Sequence, residues 1–185
     1  MIQTKADYLY YLNCDKKAMR KNTRKPRYLI DIIWTFLRLM RKCEYYENCR
    51  HGFFSTLYLK FLKYRYVLLS HRLGFSIGYN TCGPGLCIEH YGNVVINKNA
   101  RIGKNCRIIG SVVIGATEDD RVPTIGDNVY VGFGAAIIGH IKVANDVVIG
   151  ANAVVVHDIV EEGCTYAGVP AKKISNNSSL KYITH

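Results

Sequence analysis

A branched aliphatic residue recurs at every sixth position of residues 96–155, with one interruption. The positions that share this period are Ile96, Ile102, Ile108, Ile114, Ile125, Val131, Ile137, Val143, Ile149 and Val155. A period of six fits neither an amphipathic helix nor an alternating strand. It predicts a parallel β-helix in which each hexad forms one short strand and a turn, and the aliphatic side chains stack between coils.

Helical periodicity precedes these repeats. Residues 1–25 predict a short helix followed by a basic run, and the apolar positions of residues 27–42 follow helical spacing. A further long helix is predicted over residues 53–72, with Gly74 as its C-terminal stop. Its apolar stripe consists of Leu57, Phe61, Tyr64 and Leu68. The polar residues 44–52 predict a connection, and the helices are expected to form an aromatic-rich cap on the β-helix.

The net charge of +11 is confined to the N-terminal part of the chain. Residues 1–73 contain 16 Lys and Arg against 5 Asp and Glu, whereas the rest of the chain contains 9 of each kind. This division predicts an N-terminal helical domain over residues 1–73, a β-helix domain over residues 74–175 and a tail over residues 176–185. The basic helices predict a peripheral contact with an anionic membrane surface, although plain solvation explains the same composition. No nucleic-acid-binding motif is present, so nucleic acid is not expected as a partner.

The cysteines and the apolar runs bear on the compartment. Seven cysteines form no C-x-x-C pair and no even-spaced framework, which favours free thiols in a reducing compartment. Charged residues interrupt every apolar run before it reaches the ~20 residues that a bilayer span needs. The chain is therefore expected in the cytoplasm, without a signal peptide.

The period breaks at two places, and these are the candidate functional corners. Ile96 follows Ile88 by eight positions, and Ile125 follows Ile114 by eleven, instead of six. A solenoid carries inserted residues on its surface, where they often build the binding face. The first insertion contains His90, and an imidazole there could act as general base toward a hydroxyl. By position alone, a surface histidine that fills a turn explains it too.

Two neighbours of His90 are candidate partners of its imidazole. Cys87 would permit a covalent Cys–His route, but the alternation of strand side chains predicts that Cys87 packs against the core. Glu89 is predicted to orient the imidazole or the acceptor, or else to be a solvated carboxylate.

The repeats resemble those of the hexapeptide-repeat acyltransferases, and in particular of the serine acetyltransferases, over residues 75–174. The closing segment of residues 167–172, Ala-Gly-Val-Pro-Ala-Lys, is similar to that of the family, and Glu89-His90 resembles its catalytic Asp-His segment. The resemblance implies a left-handed β-helix with three strands per coil, acetyl-CoA as co-substrate, and a homotrimer with coenzyme between neighbouring β-helices. It also implies direct acetyl transfer with His90 and Glu89 as catalytic residues.

The acceptor side departs from the serine acetyltransferases. Residues 118–123 resemble their Asp-Arg-His-Pro segment, which implies that Asp120 and Arg121, together with Tyr91, contact the acceptor. Val122 replaces the histidine of that segment, and Ser76, or Phe75 if the alignment shifts by one, stands where these enzymes place an acidic residue. A sugar or sugar-lipid hydroxyl needs neither group, so surface-polysaccharide acetylation is predicted, with L-serine as the alternative acceptor.

The coenzyme residues are also implied by the resemblance. These are Gly115, Ala135, Ala151, Lys172 and Lys173, the two lysines as point charges toward the phosphates. No metal is expected, because His90, His140 and His157 lack the spacing of a γ-carbonic-anhydrase-like zinc site. A purely structural β-helix would leave the two insertions unexplained.

Overall fold

The computed structural model describes residues 1–27, 30–117 and 121–183. Three α-helices come first among these residues, α1 (Lys5–Ala18), α2 (Ile32–Cys49) and α3 (Phe53–Leu73). Short strands follow, β1 (Phe75–Ile77), β2 (Cys87–Ile88), β3 (Val94–Ile96), β4 (Arg101–Ile102), β5 (Arg107–Ile108), β6 (Val113–Gly115), β7 (Thr124–Ile125), β8 (Tyr130–Val131), β9 (Ala136–Ile138), β10 (Lys142–Val143), β11 (Val148–Ile149), β12 (Val154–Val155), β13 (Thr165–Ala167) and β14 (Lys172–Ser175). A 3₁₀ turn, Ser179–Tyr182, follows β14.

The strands stack into a β-helix with three faces. The first sheet has the order β1-β3-β6-β9-β12, the second β10-β7-β4 and the third β14-β13-β11-β8-β5-β2. All pairings are parallel except that of β13 with β14. Every third aliphatic position meets its equivalent in the next coil, as in the pairs Ile96–Ile114 and Ile114–Ile137. The β-helix predicted from the hexads is therefore confirmed.

The core of the β-helix continues into the helices. Phe36 of α2 packs its ring on Phe75 of β1, with ring centroids 5.1 Å apart, and both belong to the cluster of buried aliphatic residues that fills the coils. The buried Arg41 of α2 donates hydrogen bonds to the carbonyls of Cys82 and Gly83 in the first coil, at 2.8 and 2.7 Å. The helical region and the β-helix are thus joined by apolar packing and by polar contacts.

The helices differ in three respects from the sequence prediction. α2 continues to Cys49 through residues that were predicted as a polar connection, because the polar Glu44 is buried and accepts a hydrogen bond from the Asn80 amide at 2.8 Å. α2 also begins later than predicted, at Ile32 rather than residue 27, and residues 28–29 of the predicted span lie outside the described residues. Gly74 ends α3 in the left-handed conformation (φ 74°), as predicted.

The apolar stripe of α3 points outward, which is the third difference. The side chains of Leu57, Phe61, Tyr64 and Leu68 are each more than half exposed. The buried face of the helix instead carries Leu62, Tyr66, Ser70 and Leu73. α3 is apolar on both sides, so periodicity could not identify which side meets the core.

Described residues of the C-terminal tail pack against the β-helix. Ser179 is fully buried, and its amide donates to the Asp146 carbonyl at 3.0 Å. The ring of Tyr182 packs on Tyr130 of β8 with centroids 4.8 Å apart. Within the described residues, no helix is both long enough and apolar enough to cross a membrane.

Candidate functional site

The His90 loop joins the third sheet to the first. It follows β2 and precedes β3, and its backbone is fixed on two sides. The His90 amide donates to the Ile109 carbonyl at 3.1 Å, and the Gly92 amide donates to the Leu73 carbonyl at the end of α3 at 2.9 Å. The His90 and Tyr91 side chains remain exposed. An imidazole is thereby presented to solvent from a backbone that the next coil and α3 hold in place.

Later coils place small residues and one aromatic residue at the same corner, a series that we call the His90 column. A Cβ atom built on Gly110 (φ 152°) would lie 3.3 Å from the Phe133 ring and 3.5 Å from the His90 Cβ. The ring of Phe133 therefore lies over Gly110, close to His90, and is about half exposed (48%). Sequence reasoning missed Phe133, although an aromatic residue among the small and polar turn residues of these repeats was a usable signal.

The column runs from His90 to the C-terminal lysines. Lys172 pairs with Ala167, whose strand ends at this same corner in the last coil. Five strand spacings separate β2 from β14 in the third sheet, and at about 4.8 Å each they give roughly 24 Å between the two ends. Lys172 is exposed, whereas Lys173 is ion-paired with Glu161.

The Glu89 carboxylate lies on the outer side of the third sheet. Glu89 Oε1 is 2.5 Å from Arg107 Nη2 and accepts a hydrogen bond from the Cys87 thiol at 3.3 Å. Arg107 Nη1 also donates to the Tyr182 carbonyl at 2.6 Å. The structure therefore brings Glu89 to Arg107 and not to the His90 imidazole. The prediction that Glu89 orients the imidazole finds no support in this geometry.

Cys87 is buried, but not against the core as predicted. The neighbouring Ile88 points into the β-helix, and Cys87 lies on the outer side of the third sheet, close to Ala18 and Ile183. Burial, with a further contribution from the Glu89 charge, raises the pKa of the Cys87 thiol to about 12. A thiol of this kind is protonated at neutral pH and is a poor nucleophile.

The second irregular corner joins the first sheet to the second. Asp120 lies outside the described residues, so its predicted role cannot be placed in the structure. Arg121 is exposed, and its carbonyl accepts a hydrogen bond from the Thr117 amide at 3.4 Å. Val122 is half-buried and packs against the core. The side chain at position 122, where the serine acetyltransferase segment has a histidine, is therefore part of the apolar packing.

The two corners lie at opposite ends of the same strands. The His90 loop enters the first sheet before β3, and the Arg121 loop leaves it after β6, which pairs with β3 in parallel. Three residues of strand separate them by about 10 Å, before the loops themselves are counted. A single chain thus keeps the His90 loop and the Arg121 loop apart.

The coenzyme residues implied by the resemblance differ in accessibility. Ala135 is fully buried, its amide donates to Gly132 at 3.3 Å and its carbonyl accepts from Val113 at 3.1 Å. Both of its backbone groups are therefore already hydrogen-bonded within the β-helix, and its role toward the coenzyme stays a prediction. Ala151 is exposed in the His90 column. Gly115 borders a shallow groove of about 470 Å³ on the first sheet, which Ser76 also lines.

Metal-ligating side chains do not converge in the part of the chain that the structure describes. No group of three or more His, Cys, Asp or Glu residues there could hold a metal ion.

Comparisons with known proteins agree on one class of enzyme. No protein-family model matches the chain. A serine acetyltransferase of Helicobacter pylori is 43% identical over 98 residues, which are 51% of this chain and 57% of that protein. The crystal structure of the Neisseria gonorrhoeae serine acetyltransferase has 27% identity and a TM-score of 0.72, over 96% of this chain and 69% of that one. The Brucella abortus serine acetyltransferase, solved with coenzyme A, has 24% identity and a TM-score of 0.72, over 94% of this chain and 70% of that one.

The sequence match covers only part of these relatives. The chain spans between 26% and 57% of the length of the curated serine acetyltransferases that it matches. The structural match covers nearly the whole of this chain, helices included. The chain therefore has the left-handed β-helix fold of the serine acetyltransferases, and about half of it matches their sequences.

Proposed function

We propose that the protein transfers an acetyl group from acetyl-CoA to a hydroxyl, with His90 as general base. The observation that carries the proposal is the His90 column, which has an exposed imidazole at one end and the exposed Lys172 about 24 Å away. The solved complex of a similar fold with coenzyme A supports this reading. Ala151 and Lys172 would hold the coenzyme, and Gly115 would border the groove on the adjacent sheet.

His90 would carry the proton through the reaction. Its imidazole takes the proton from the acceptor hydroxyl while the hydroxyl oxygen attacks the thioester carbonyl. The carbon–sulfur bond then breaks, and the imidazolium returns the proton to the departing thiolate. A backbone amide would stabilise the oxyanion. Transfer is direct, because the protonated Cys87 does not provide a nucleophile.

L-serine is the acceptor that the comparisons support. The matched relatives are serine acetyltransferases, and none of the comparisons supports a sugar acceptor. A neutral sugar hydroxyl stays a second candidate because of Val122, which packs on the core where serine recognition would place a histidine. Arg121 and Tyr91 would contact either acceptor.

A homotrimer would complete this site. The His90 and Arg121 loops leave opposite ends of paired strands, so a threefold arrangement could place the Arg121 loop of one copy against the His90 loop of the next. We also propose that the protein works in the cytoplasm and that residues 1–73 form a helical domain packed on the β-helix domain of residues 74–175, with residues 176–185 as the tail.

The general-base role is tested by His90→Ala against His140→Ala, since His140 is an exposed turn histidine outside the column. Loss of a general base lowers kcat by about 10²–10⁴-fold, while coenzyme A binding, measured by calorimetry, persists. His140→Ala should retain turnover. Near-normal acetyl transfer by His90→Ala would exclude the assignment.

The acceptor is decided by initial rates with L-serine and with nucleotide-linked sugars. A serine acetyltransferase should reach a kcat/KM of ~10⁴ M⁻¹s⁻¹ or more with L-serine. Val122→His should raise that value further if the loop contacts the carboxylate. Weak turnover of L-serine together with efficient turnover of a sugar would favour the second candidate.

A further inference from the structure

The exposed face of α3 carries large apolar side chains, as a surface that binds a partner or a membrane does. Its centre is a stripe of side chains that are each more than half exposed, here called the α3 outer stripe: Phe53, Leu57, Phe61, Tyr64 and Leu68. At about 100° per residue these positions fall within a sector roughly 80° wide, and they extend about 22 Å along the helix. Continuous exposed apolar patches mark interaction sites.

Cations flank the stripe on both sides. On the helical wheel, Lys60 lies at one margin, and Arg65 and Arg72 lie at the other. The Arg65 guanidinium lies 5.9 Å from the centre of the Phe61 ring. α3 contains no Asp or Glu. An apolar stripe with cationic margins is typical of helices that lie in the membrane interface, where long basic side chains extend to the headgroups.

A groove adjoins the arginine margin. It has a volume of about 360 Å³, and its apolar wall is formed by Ile32, Leu39, Leu68 and Leu69. Arg65 and Arg72 also line it, two helical turns apart. Neither arginine forms an ion pair with an acidic residue of the described chain. Guanidinium groups in this setting suit the phosphate of a lipid headgroup.

The charges argue against a second copy as the occupant. If two α3 outer stripes packed together, Lys60, Arg65 and Arg72 of one copy would face the same cations of the other. α3 offers no acidic side chain to pair with them. Like charges beside an apolar seam disfavour self-pairing.

We propose that the α3 outer stripe docks on an anionic membrane surface, with Arg65 and Arg72 contacting lipid phosphates. The stripe would enter the boundary between headgroups and acyl chains. The C-terminal end of this surface lies beside the His90 loop, because the Leu73 carbonyl accepts the Gly92 amide at 2.9 Å. The proposal goes beyond the acetyl transfer and does not depend on it.

The test is co-sedimentation of the full chain with vesicles of phosphatidylcholine mixed with phosphatidylglycerol, and with vesicles of phosphatidylcholine alone. Leu57→Gln with Phe61→Gln should weaken binding about a hundredfold, since two large apolar side chains no longer enter the interface. Arg65→Gln with Arg72→Gln should weaken it about thirtyfold at low salt. The matched control is Lys16→Gln with Lys17→Gln, which removes the same charge from α1. Circular dichroism verifies that each variant is folded.

Three results would overturn the proposal. One is wild-type protein that does not sediment with the anionic vesicles at low salt. Another is an α1 control that loses as much binding as the arginine variant, because net charge alone would then explain it. The third is a protein that does not bind vesicles but self-associates in a concentration-dependent way, with Leu57→Gln and Phe61→Gln abolishing that self-association. This result would assign the stripe to a second copy.

Discussion

Replacing Arg41 by Met tests how the helices are fastened to the β-helix. The guanidinium is fully buried, and each of its five N–H groups donates one hydrogen bond. Two go to the Asp15 carboxylate at 2.8 and 3.3 Å and one goes to Glu44 at 3.1 Å. The other two go to the carbonyls of Cys82 and Gly83. Met fills a similar volume but leaves both carboxylates buried without their cation.

The cost follows from those uncompensated groups. Removing one partner of a buried ion pair costs about 3–5 kcal/mol. For a chain of this length, 1 kcal/mol shifts the melting temperature by about 2–4 °C, so a decrease of roughly 6–20 °C is expected. Asp15 also accepts the amides of Gly85 and Leu86 at 2.8 and 2.9 Å, which ties the same network to the first coil.

Thermal denaturation followed by circular dichroism measures the effect, with Lys63→Met as the control. Lys63 pairs with Glu47 at 2.5 Å, but both side chains are about 40% exposed, and such pairs contribute about 0–1 kcal/mol. Arg41→Lys should fall in between, because an ammonium has three donors where the guanidinium has five. If Arg41→Met melts within the range of the Lys63 control, the network does not fasten the two parts.

Further predictions concern the site and the pH dependence of stability. Cys87→Ala should retain acetyl transfer within about twofold of wild type, because the raised thiol pKa excludes a covalent route; a hundredfold loss in rate assays would contradict this. The hydrogen bonds from the Lys21 side chain and the Arg27 amide hold the pKa of Asp31 well below its usual range. The stabilisation by Asp31 is therefore present near neutral pH and is lost as the pH falls below about 4. Urea unfolding of Asp31→Asn should differ from wild type at pH 7 and converge with it in acid, and an equal difference at both pH values would refute the assignment. Gly110→Ala should lower kcat about tenfold, because a side chain at this φ of 152° strains the backbone and its Cβ atom would lie 3.3 Å from the Phe133 ring beside His90, and an unchanged rate would show that this packing is not catalytically relevant.

The hexad period determined the β-helix from sequence alone. Each aliphatic side chain of the repeat must face inward and meet its equivalent in the next coil, so the period fixed both the strands and their register. The pair Ile96–Ile114 in the first sheet is one example. The same period located the two irregular corners and with them His90. These inferences succeeded because neighbouring coils repeat one local pattern.

Only the tertiary structure decided which polar side chains are buried and which face of a helix with two apolar sides meets the core. Glu44 belongs to a polar-looking segment, yet it is buried because Arg41 and Asn80 lie within hydrogen-bonding distance. Glu89 is adjacent to His90 in sequence, yet it pairs with Arg107 one coil away. Ala135 is buried, and both of its backbone groups are used within the β-helix, the amide by Gly132 of its own turn and the carbonyl by Val113 of the previous coil.

The helix α3 shows this limit most directly. Its residues are apolar on both sides, so the spacing of Leu57, Phe61 and Tyr64 predicts a helix but does not identify the face that is buried. That choice depends on Phe36 and Phe75, which pack beside Tyr66 and leave the other side of α3 in solvent. Local periodicity follows from covalent geometry, whereas the buried face depends on contacts with residues distant in sequence.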